Sequence, residues 1–444
     1  MRQVADYDLI ICGAGAAGLS LALRLVRSPL RDRSILIIDR NAKDRNDRTW
    51  AFWTSGPTFF DEIVYRSWEQ LHIVGENLDR RIDLHGYRYQ VIRGIDFYRF
   101  ARRELTAHPN VTFMQGVVER IDDGTDAACV TVNGQTLNGQ WVFDSTRPHT
   151  DVRGFGDSGR LSYHHLRLYF KGWEIETAQP VFNPRAATLM DFRTPQGNAT
   201  RFFYVLPFSE RRALVEYTVF SAEEHRRVDT DQALKAYLKN TLRIAGGARS
   251  EHAHVRHTGI PPSSFDDAPD NGGYRIVSEE RGVIPVTDQP CPRRIGRHVM
   301  TIGTPGGRVK PTTGYAFMRI QKDSEAIMRS LLENGHPFAV PGDSRRYQLY
   351  DSMMLHIMAH HGEQVKPIFT RMFRRNPIHR ILRFLDEAGS IWENLRLILT
   401  LPPRVFLQAL FRIAGQRFLA QTRKSSPGWP SRQYQPYAHD QQQP

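Results

Sequence analysis

The sequence predicts an α/β fold in three parts: a Rossmann-like nucleotide-binding domain, a domain built on an antiparallel sheet, and a helical C-terminal region. Two apolar runs, Tyr7–Cys12 and 34–39, flank a glycine-bearing turn and the helical periodicity of 19–26, which is the pattern of a β-α-β unit. Alternating apolar and polar residues between 161 and 218 indicate the antiparallel sheet, and helical periodicity beyond 336 indicates the third part.

Length and composition limit the possibilities further. The 444 residues are enough for two to three domains, and 40% hydrophobic with 24% charged residues is typical of a globular protein. The formal net charge of +13 is the unusual value. Cys12, Cys129 and Cys291 lie far apart and are odd in number, so we expect no disulfide framework and a reducing cytoplasm.

Targeting and membrane signals are weak in this sequence. It contains no apolar run of about 18 residues, so we expect no transmembrane helix. Its first residues lack the basic and apolar regions of a signal peptide. These features predict a protein that is soluble or rests on a membrane surface.

Shorter patterns give the remaining elements. Strands are predicted at 70–74, 111–115, 127–132, 140–143, 165–170, 201–205, 213–218 and 298–302, with a hairpin turn at Asn133-Gly134. A loop is predicted at 259–273, a helix at 315–332 and a disordered tail at 425–444. The predicted domains are a nucleotide-binding domain at 1–155 and 276–335, a substrate-binding sheet domain at 156–275, and a helical region at 336–424.

The first glycine turn has the spacing of a dinucleotide site. Gly13 permits a tight turn, Gly15 allows the backbone to approach a pyrophosphate, and Gly18 allows close packing of helix on strand. Ala16 then opens the helix whose N-terminus attracts phosphate, and Asp39 ends the next strand, where it would accept a ribose hydroxyl.

A second glycine-rich segment, at 302–317, indicates which dinucleotide is bound. It combines a strand end, glycines that allow close approach and a helix start, as in two-domain flavoproteins whose chain returns to the cofactor after a substrate sheet. These features favour FAD over a nicotinamide nucleotide. The residues of this segment that we expect to contact FAD are Gly303, Gly306, Gly307, Thr313 and Gly314.

Several motifs resemble those of a known family, the bacterial lycopene β-cyclases. They are collinear and extend to about residue 412. The motifs lie at 47–53, 92–98, 170–173, 189–192, 206–208, 214–218, 282–285, 303–317 and 374–377.

The resemblance implies a reaction and its cofactor. Members of this family bind reduced FAD, for which NAD(P)H is the expected reductant, and close the acyclic ψ-ends of lycopene into β-ionone rings. An acid protonates the terminal double bond, the neighbouring double bond attacks the cation, and the ring loses a proton. There is no net redox change, so the enzyme would be an isomerase that yields γ-carotene and β-carotene. Its substrates would be lycopene and related acyclic or monocyclic carotenoids.

The resemblance also implies a catalytic acid, Glu216, which matches the first Glu of a Phe-Leu-Glu-Glu-Thr-like motif. Tyr217 replaces the second Glu, so we expect one carboxylate at this site. Strand alternation places Glu216 on one face with Leu214 and Thr218. Burial would keep the carboxyl protonated near pH 7. The side chains expected to surround it are Leu214, Val215, Tyr217 and Phe203. The alternatives are that Glu216 faces solvent on an edge strand, or that the flavin delivers the proton.

Aromatic and charged residues in the matching motifs are further candidates. Trp50, Phe52 and Trp53 could stabilise the cation through their ring faces, or could simply belong to the core. Arg48 and Arg93 could contact FAD, or could form ion pairs between motifs.

The histidines carry no clear metal signature. His164-His165 and His360-His361 have no acidic or cysteine partner at the spacing of a metal site. We therefore expect these residues to be ordinary surface or core histidines, and we predict no metal.

Much of the positive charge lies near the C-terminus. Residues 366–424 hold twelve Lys and Arg and three acidic residues, a net charge of +9, interleaved with bulky apolar residues. Basic amphipathic helices of this kind bind anionic membranes. We expect a cytoplasmic protein, peripheral on the inner face of the cell membrane, and no nucleic-acid partner. The alternative is helices that pack on the protein with a solvated basic face.

Two other functions stay open at this point. One is a redox flavoenzyme of the same fold, such as a monooxygenase or an isoprenoid reductase. The other is a non-catalytic isoprenoid carrier, which would need neither Glu216 nor reduced flavin.

Overall fold

A computed structural model of the chain describes residues 5–147, 163–222, 229–244, 248–249 and 273–423. Within these residues lie three sheets and nine α-helices. The predicted loop at 259–273, except its last residue, and the predicted tail at 425–444 lie outside the described residues.

The strands, in chain order, are β1 (Tyr7–Cys12), β2 (Ile35–Asp39), β3 (Thr49–Thr54), β4 (Arg66–Trp68), β5 (Gln70–Gly75), β6 (Leu78–Asp83), β7 (Arg88–Arg93), β8 (Val111–Gln115), β9 (Val118–Asp123), β10 (Ala128–Val132), β11 (Gln135–Asp144), β12 (His165–Thr177), β13 (Ala186–Asp191), β14 (Thr200–Pro207), β15 (Arg212–Ser221), β16 (Ala248–Arg249), β17 (Tyr274–Thr287) and β18 (Val299–Thr301). The helices are α1 (Ala16–Val26), α2 (Gly94–Thr106), α3 (Thr230–Asn240), α4 (Phe317–Asn334), α5 (Arg345–His360), α6 (Val365–Arg375), α7 (Ile378–Leu385), α8 (Ile391–Ile398) and α9 (Pro403–Arg423).

The first sheet is built around the β1-α1-β2 unit. Its strand order is β8-β2-β1-β11-β10-β9, and β18 pairs with β11. Strands β8, β2, β1, β11 and β18 are parallel, so their carboxyl ends meet at one edge, where Cys12 lies beside Asp144 and Asp144 beside Thr301. In open α/β sheets, ligands bind at this edge.

The second sheet has the order β16-β17-β12-β15-β14-β13-β5-β6 and is mostly antiparallel. Because side chains alternate along each strand, the sheet has two apolar faces. One face packs with the C-terminal helices, as where Leu214 joins the same core as Leu355 and Ile368. The other face packs against α3, as where Val215 joins the core of Leu234. A small third sheet, β3-β7-β4, completes the fold.

The predicted β-α-β unit and the hairpin are both confirmed. Asn133 and Gly134 have φ angles of 49° and 76°, as a tight hairpin turn requires, and β10 pairs with β11 on either side of them. Two segments differ from the predicted division of the chain. Strands β5 and β6, and strand β17, pair within the second sheet, although the sequence assigned 70–83 and 276–287 to the nucleotide-binding domain.

The C-terminal region is helical, as predicted. Helices α8 and α9 and the turn between them leave large apolar side chains exposed, namely Ile391, Trp392, Leu399 and Phe411, whose exposed fractions are 61%, 74%, 80% and 73%. Among the described helices, none is by itself both long and apolar enough to cross a bilayer. Helix α8 and the first fifteen residues of α9 meet the length and composition criteria only as a pair, which is bent by 115°.

Candidate functional site

A cavity of about 330 Å³ lies where the carboxyl edge of the first sheet meets one face of the second. Its volume falls in the range of about 300–1,000 Å³ that is usual for small-molecule sites. The residues predicted from the sequence that line it are Gly15, Ala16, Arg48, Trp50, Glu216, Gly303, Thr313 and Gly314. The others lie outside its wall: Gly13, Gly18, Asp39, Phe52, Trp53, Arg93, Gly306 and Gly307.

The glycines of the first turn have two different roles: Gly13 and Gly18 shape the turn, and Gly15 leaves space for a ligand. Gly13 has a φ of +105°, and a Cβ on Gly18 would lie 2.0 Å from the Gly13 carbonyl oxygen, so neither position accepts a larger residue without distortion. Gly15 lines the cavity, and a Cβ there would meet nothing within 4 Å. The space over Gly15 is therefore open to a ligand, as a pyrophosphate site requires.

Asp39 holds this turn in place. Its carboxylate accepts hydrogen bonds from the backbone N–H of Ala14 at 2.7 Å and of Asn41 at 2.8 Å, and it lies 3.6 Å from the ammonium of Lys43. Asp39 lies outside the cavity wall, so the contact with a ribose hydroxyl remains a prediction.

The second glycine segment meets the first across the cavity. Gly303 has a φ of +63°, and a Cβ there would lie 2.9 Å from the Cβ of Ala17. Gly314 has a φ of +75°, and a Cβ there would lie 2.5 Å from Leu168. Gly306, by contrast, packs against the Thr301 carbonyl and shapes the turn. Together the two segments form an open cradle beside the N-terminus of α1, which fits an anionic dinucleotide such as FAD.

A pair of carboxyl groups lies in the same cavity. In the second sheet, Gly172 of β12 is opposite Glu216 of β15 on one side and Glu280 of β17 on the other. The two side chains come together over the glycine and are hydrogen-bonded to each other. Each also accepts a hydroxyl hydrogen bond: Thr218 donates to Glu216 at 2.9 Å, and Thr49 donates to Glu280 at 2.8 Å.

The surroundings of this pair favour protonation. Burial, followed by the negative charge of Glu280, raises the pKa of Glu216 far above its usual range. Burial also raises the pKa of Glu280, although hydrogen bonds from Thr49 and Glu216 act in the opposite direction. The site therefore favours a proton on the pair, because burial raises the pKa of both carboxyl groups and that of Glu216 well above its usual range.

Three expectations about Glu216 need correction. The expectation of a single carboxylate is wrong, because Glu280 replaces the missing second Glu from another strand. The alternative of a solvent-facing edge strand is also wrong, since β15 lies between β12 and β14. Val215, Tyr217 and Phe203 do not desolvate the carboxyl, because they point into the core on the opposite face of the sheet. A signal for Glu280 existed: it lies two residues before Gly282, on the same face as that matching motif.

The aromatic residues around the cavity differ from those predicted. Trp50 lines the wall, whereas Phe52 stacks on Phe317 with ring centroids 5.1 Å apart, and Trp53 lies behind Tyr315 at 5.0 Å. Strand β3 runs past the cavity, so its second half is separated from the cavity by other rings.

Three tyrosines that the sequence analysis did not single out line the cavity instead. The hydroxyl groups of Tyr89 and Tyr315 are 2.8 Å apart, and Tyr204 is hydrogen-bonded to Tyr315. All three line the cavity, and burial raises the pKa of each hydroxyl well above its usual range, so these phenols stay neutral.

The two predicted arginines have different positions. Arg48 lines the cavity while pairing with Asp47 at 2.9 Å. Arg93 pairs with Asp96 at 2.6 Å and lies over the ring of Tyr65, with its guanidinium carbon 3.9 Å from the ring centroid. Arg93 therefore binds other parts of the protein and lies outside the cavity wall, so its predicted contact with FAD stays a prediction.

Two of the histidines are not isolated, contrary to expectation. His164 and His360 meet His356 on α5, and one ring nitrogen from each lies within 4.8 Å of the others. His164 also has an acidic partner, because its Nδ1 is 3.1 Å from Asp288. The sequence did contain a signal, since His356 and His360 are four residues apart and share one face of a helix.

Comparison with known proteins places the chain in a family. The profile described as lycopene cyclase protein matches residues 8–253 and 270–411. The chain belongs to the lycopene cyclase family. Among curated proteins, it is 27% identical to a lycopene beta-cyclase of Paracoccus sp. over 415 residues, which cover 89% of this chain and 94% of that relative.

Solved structures of low sequence identity support the fold of this lycopene cyclase family member. A triple mutant of the flavin-dependent brominase Bmp2 aligns with a TM-score of 0.53 and 14% identity over 88% of this chain and 97% of that chain. A geranylgeranyl bacteriochlorophyll reductase-like protein from Thermoplasma acidophilum aligns with a TM-score of 0.50 and 12% identity over 92% and 99%. The predicted fold class, a two-domain FAD-type flavoprotein with a helical C-terminal region, is confirmed.

Proposed function

We propose that this family member is a lycopene β-cyclase, an isomerase that closes the acyclic ends of lycopene and related acyclic or monocyclic carotenoids into β-ionone rings. The observation that carries this proposal is the position of Glu216, which faces the same cavity as the two glycine segments and whose pKa is raised well above its usual range by desolvation. Protonation of an alkene requires a carboxyl group that remains an acid at neutral pH, and burial provides such a group.

The side chains of the cavity match the steps of this reaction. Glu216 gives its proton to the terminal double bond, and the neighbouring double bond attacks the tertiary cation to close the ring. The faces of Trp50, Phe170, Tyr204 and Tyr315 line the cavity and stabilise positive charge without forming a bond to it. Loss of a ring proton then completes an isomerisation in which no atom is gained or lost.

The cofactor proposed for this site is FAD, with NAD(P)H as its reductant. Gly15, Ala16, Gly303 and Gly314 would hold it, and Arg48 faces the same space. When bound in its reduced form, FAD supplies an electron-rich ring system that stabilises positive charge. Because the cyclisation involves no net oxidation, we expect no stoichiometric consumption of NAD(P)H.

We further propose that the enzyme is peripheral on the inner, cytoplasmic face of the cell membrane. Carotenoids are long hydrocarbons that partition into lipid, so a cyclase has to reach them there. The net charge of +9 over 366–424 and the exposed side chains of Trp392, Leu399 and Phe411 support binding to anionic lipid.

The test is an anaerobic incubation of the purified chain with lycopene in anionic liposomes, with and without FAD reduced by dithionite. We expect cyclic products, separated by chromatography, only with reduced FAD. Glu216→Gln should lose about 100- to 10,000-fold in rate, the usual contribution of a general acid, while still binding FAD. Glu279→Gln, on the exposed neighbour of Glu280, is the matched control and should retain the rate.

The same incubation separates the rival functions. A monooxygenase or reductase would consume NAD(P)H in proportion to product and would form no ring. A carrier would retain lycopene unchanged, and Glu216→Gln would have no effect on it. Either result would contradict the proposed cyclase.

A further inference from the structure

Glu280 provides a second carboxyl group in the cavity. Its position opposite Gly172 puts its carboxyl group beside that of Glu216, and both line the cavity. The glycine leaves room for this arrangement, because a Cβ at residue 172 would lie 3.1 Å from Cγ of Glu280, a tight contact, and 3.5 Å from Cβ of Glu216. The sheet therefore leaves a gap in which the two carboxyl groups meet.

The chemistry of the pair gives the two residues different roles. Two hydrogen-bonded carboxyl groups in a buried site do not both ionise, because like charges at this distance repel strongly. One proton is therefore shared between them, since burial raises the pKa of both carboxyl groups. With the shared proton on Glu216, Glu280 is a carboxylate held by the hydroxyl of Thr49 at 2.8 Å, and a carboxylate facing the cavity is a base.

We propose that Glu280 is a catalytic residue, the base that accepts the proton lost from the ring and returns it to Glu216. This inference rests on the proposed cyclisation. The proton of Glu216 forms the new C–H bond at the chain end, and ring closure leaves a cation on a ring carbon. The adjacent C–H bond then breaks, its electrons form the ring double bond, and its proton passes to Glu280. Transfer across the Glu216–Glu280 hydrogen bond restores the starting state, without an oxidant or a reductant.

A fixed base has a consequence that can be measured. The ring cation has three kinds of neighbouring C–H bond, on the carbon that carries the chain, on the ring methylene and on the methyl group. The position of the base decides which of them breaks, and hence where the ring double bond lies. A glutamine at position 280 retains the size of Glu280 but no longer accepts the proton.

The experiment compares wild type, Glu280→Gln and Glu279→Gln under the anaerobic conditions described above, with chromatography that separates the ring double-bond isomers. We expect Glu280→Gln to bind FAD, to cyclise at least about 100-fold more slowly, and to give a mixture of isomers where the wild type gives one. Glu279→Gln should match the wild type. Glu280→Asp, which retains the charge on a shorter side chain, should recover the single isomer with part of the rate.

The outcomes separate this inference from the proposed function. If Glu280→Gln forms one isomer at the wild-type rate, Glu280 is not the base, although the cyclase proposal stands. If the wild type forms no ring, the proposed function itself fails. If Glu280→Gln does not fold, Glu280→Asp decides: an isomer mixture from this variant, or a wild-type rate, would contradict the inference.

A different group of side chains independently indicates a metal site. His356 and His360 lie one turn apart on α5, and His164 reaches them from the start of β12. Asp288 accepts from Nδ1 of His164, and the backbone carbonyl of His356 is 3.0 Å from Nδ1 of His360. These contacts engage Nδ1 of His164 and of His360, as oxygen acceptors commonly do behind metal-bound histidines, while Nε2 of His164 points at Nδ1 of His356, where a metal ion would replace the proton between them.

One nitrogen–nitrogen distance is close to that around a coordinated ion, and all three ligand atoms lie within 4.8 Å of one another. Nε2 of His164 lies 3.1 Å from Nδ1 of His356. Two nitrogens bound tetrahedrally to zinc at about 2.0–2.1 Å would be about 3.3 Å apart. We infer that His164, His356 and His360 bind one divalent transition-metal ion, such as Zn²⁺, with a water in the fourth position. The ion would fasten the start of β12 to α5.

The test uses the full chain after removal of metals with EDTA. Titration with Co²⁺ should give a tetrahedral absorption spectrum that saturates at one equivalent, and Zn²⁺ should displace it. Zn²⁺ should also raise the melting temperature. His356→Ala and His360→Ala should abolish both effects, whereas His361→Ala, on an exposed neighbour of the cluster, should retain them. Absence of saturable binding, or equal loss in His361→Ala, would overturn the inference.

Discussion

Glu216 and Glu280 are hydrogen-bonded to each other across Gly172, the residue that lies opposite both in the second sheet. A buried pair of carboxyl groups does not stabilise a fold, because burial disfavours their ionised forms. A structural role alone would be served equally well by apolar residues. The arrangement therefore favours a role in chemistry, since strongly shifted carboxyl groups in a cavity are typical of active sites.

The pair should reduce stability at high pH. The pKa of Glu216 is raised in the folded protein above its ordinary value near 4.5, so the folded state binds this proton more tightly than the unfolded state. The resulting stabilisation is complete below about pH 4.5 and is lost as the pH rises toward the raised pKa. Glu216→Gln should therefore gain melting temperature relative to wild type as the pH increases. The prediction is contradicted if the difference in melting temperature between Glu216→Gln and wild type does not change with pH. It is also contradicted if Glu279→Gln shows the same pH-dependent difference.

Substitution of Gly172 should separate the two carboxyl groups. In Gly172→Ala, the new Cβ would lie 2.9 Å from Leu214 and 3.1 Å from Glu280, so one of these side chains has to move. Displacement of a catalytic group by about 1 Å costs on the order of 100-fold in rate. We expect such a loss in the lycopene assay with FAD binding retained. Gly56→Ala is the control, because a Cβ there meets nothing within 4 Å. A wild-type rate for Gly172→Ala would show that the pair tolerates the added methyl.

The sequence could predict features that depend on local patterns, but not those that depend on the pairing of distant strands. The β1-α1-β2 unit, the Asn133-Gly134 hairpin and the shared strand face of Leu214, Glu216 and Thr218 depend on neighbouring residues, and the structure has all three. The position of Glu280 beside Glu216 depends on the pairing of β17 with β12, two strands that are far apart in the chain. Spacing and alternation do not report which distant strand becomes a neighbour.

The aromatic residues show a second limit. The sequence offered Trp50, Phe52 and Trp53 either as rings that stabilise the cation or as members of the core. The path of β3 decides which of them reaches the cavity, and that path is set by packing against Tyr315 and Phe317. A cluster of aromatic residues in the sequence predicts burial in a core. It does not predict which ring faces a ligand.

The glycine turn makes a prediction that distinguishes folding from cofactor binding. Gly15→Ala places a methyl in open space over the cavity, so the fold should tolerate it, whereas FAD should bind about tenfold more weakly or worse, a cost of about 1.4 kcal/mol. Gly18→Ala drives a methyl into the Gly13 carbonyl and should lower the melting temperature itself. The measurements are flavin fluorescence titration and thermal unfolding of both variants. Equal melting temperatures for the two variants, or unchanged FAD affinity in Gly15→Ala, would contradict this division of roles.

Membrane binding should depend on the exposed apolar residues of α8 and the turn that follows. Trp392 and Leu399 are 74% and 80% exposed, and burying one large apolar side chain in lipid contributes about 1.5–3 kcal/mol. The double variant Trp392→Ser and Leu399→Ser should therefore bind anionic liposomes at least about tenfold more weakly in a flotation assay. It should also turn over lycopene in those liposomes more slowly while retaining FAD. Val117→Ser removes an apolar side chain that is 57% exposed in the connection between β8 and β9, and it should float like the wild type. If the double variant floats equally well, α8 and its following turn are not the surface that contacts lipid.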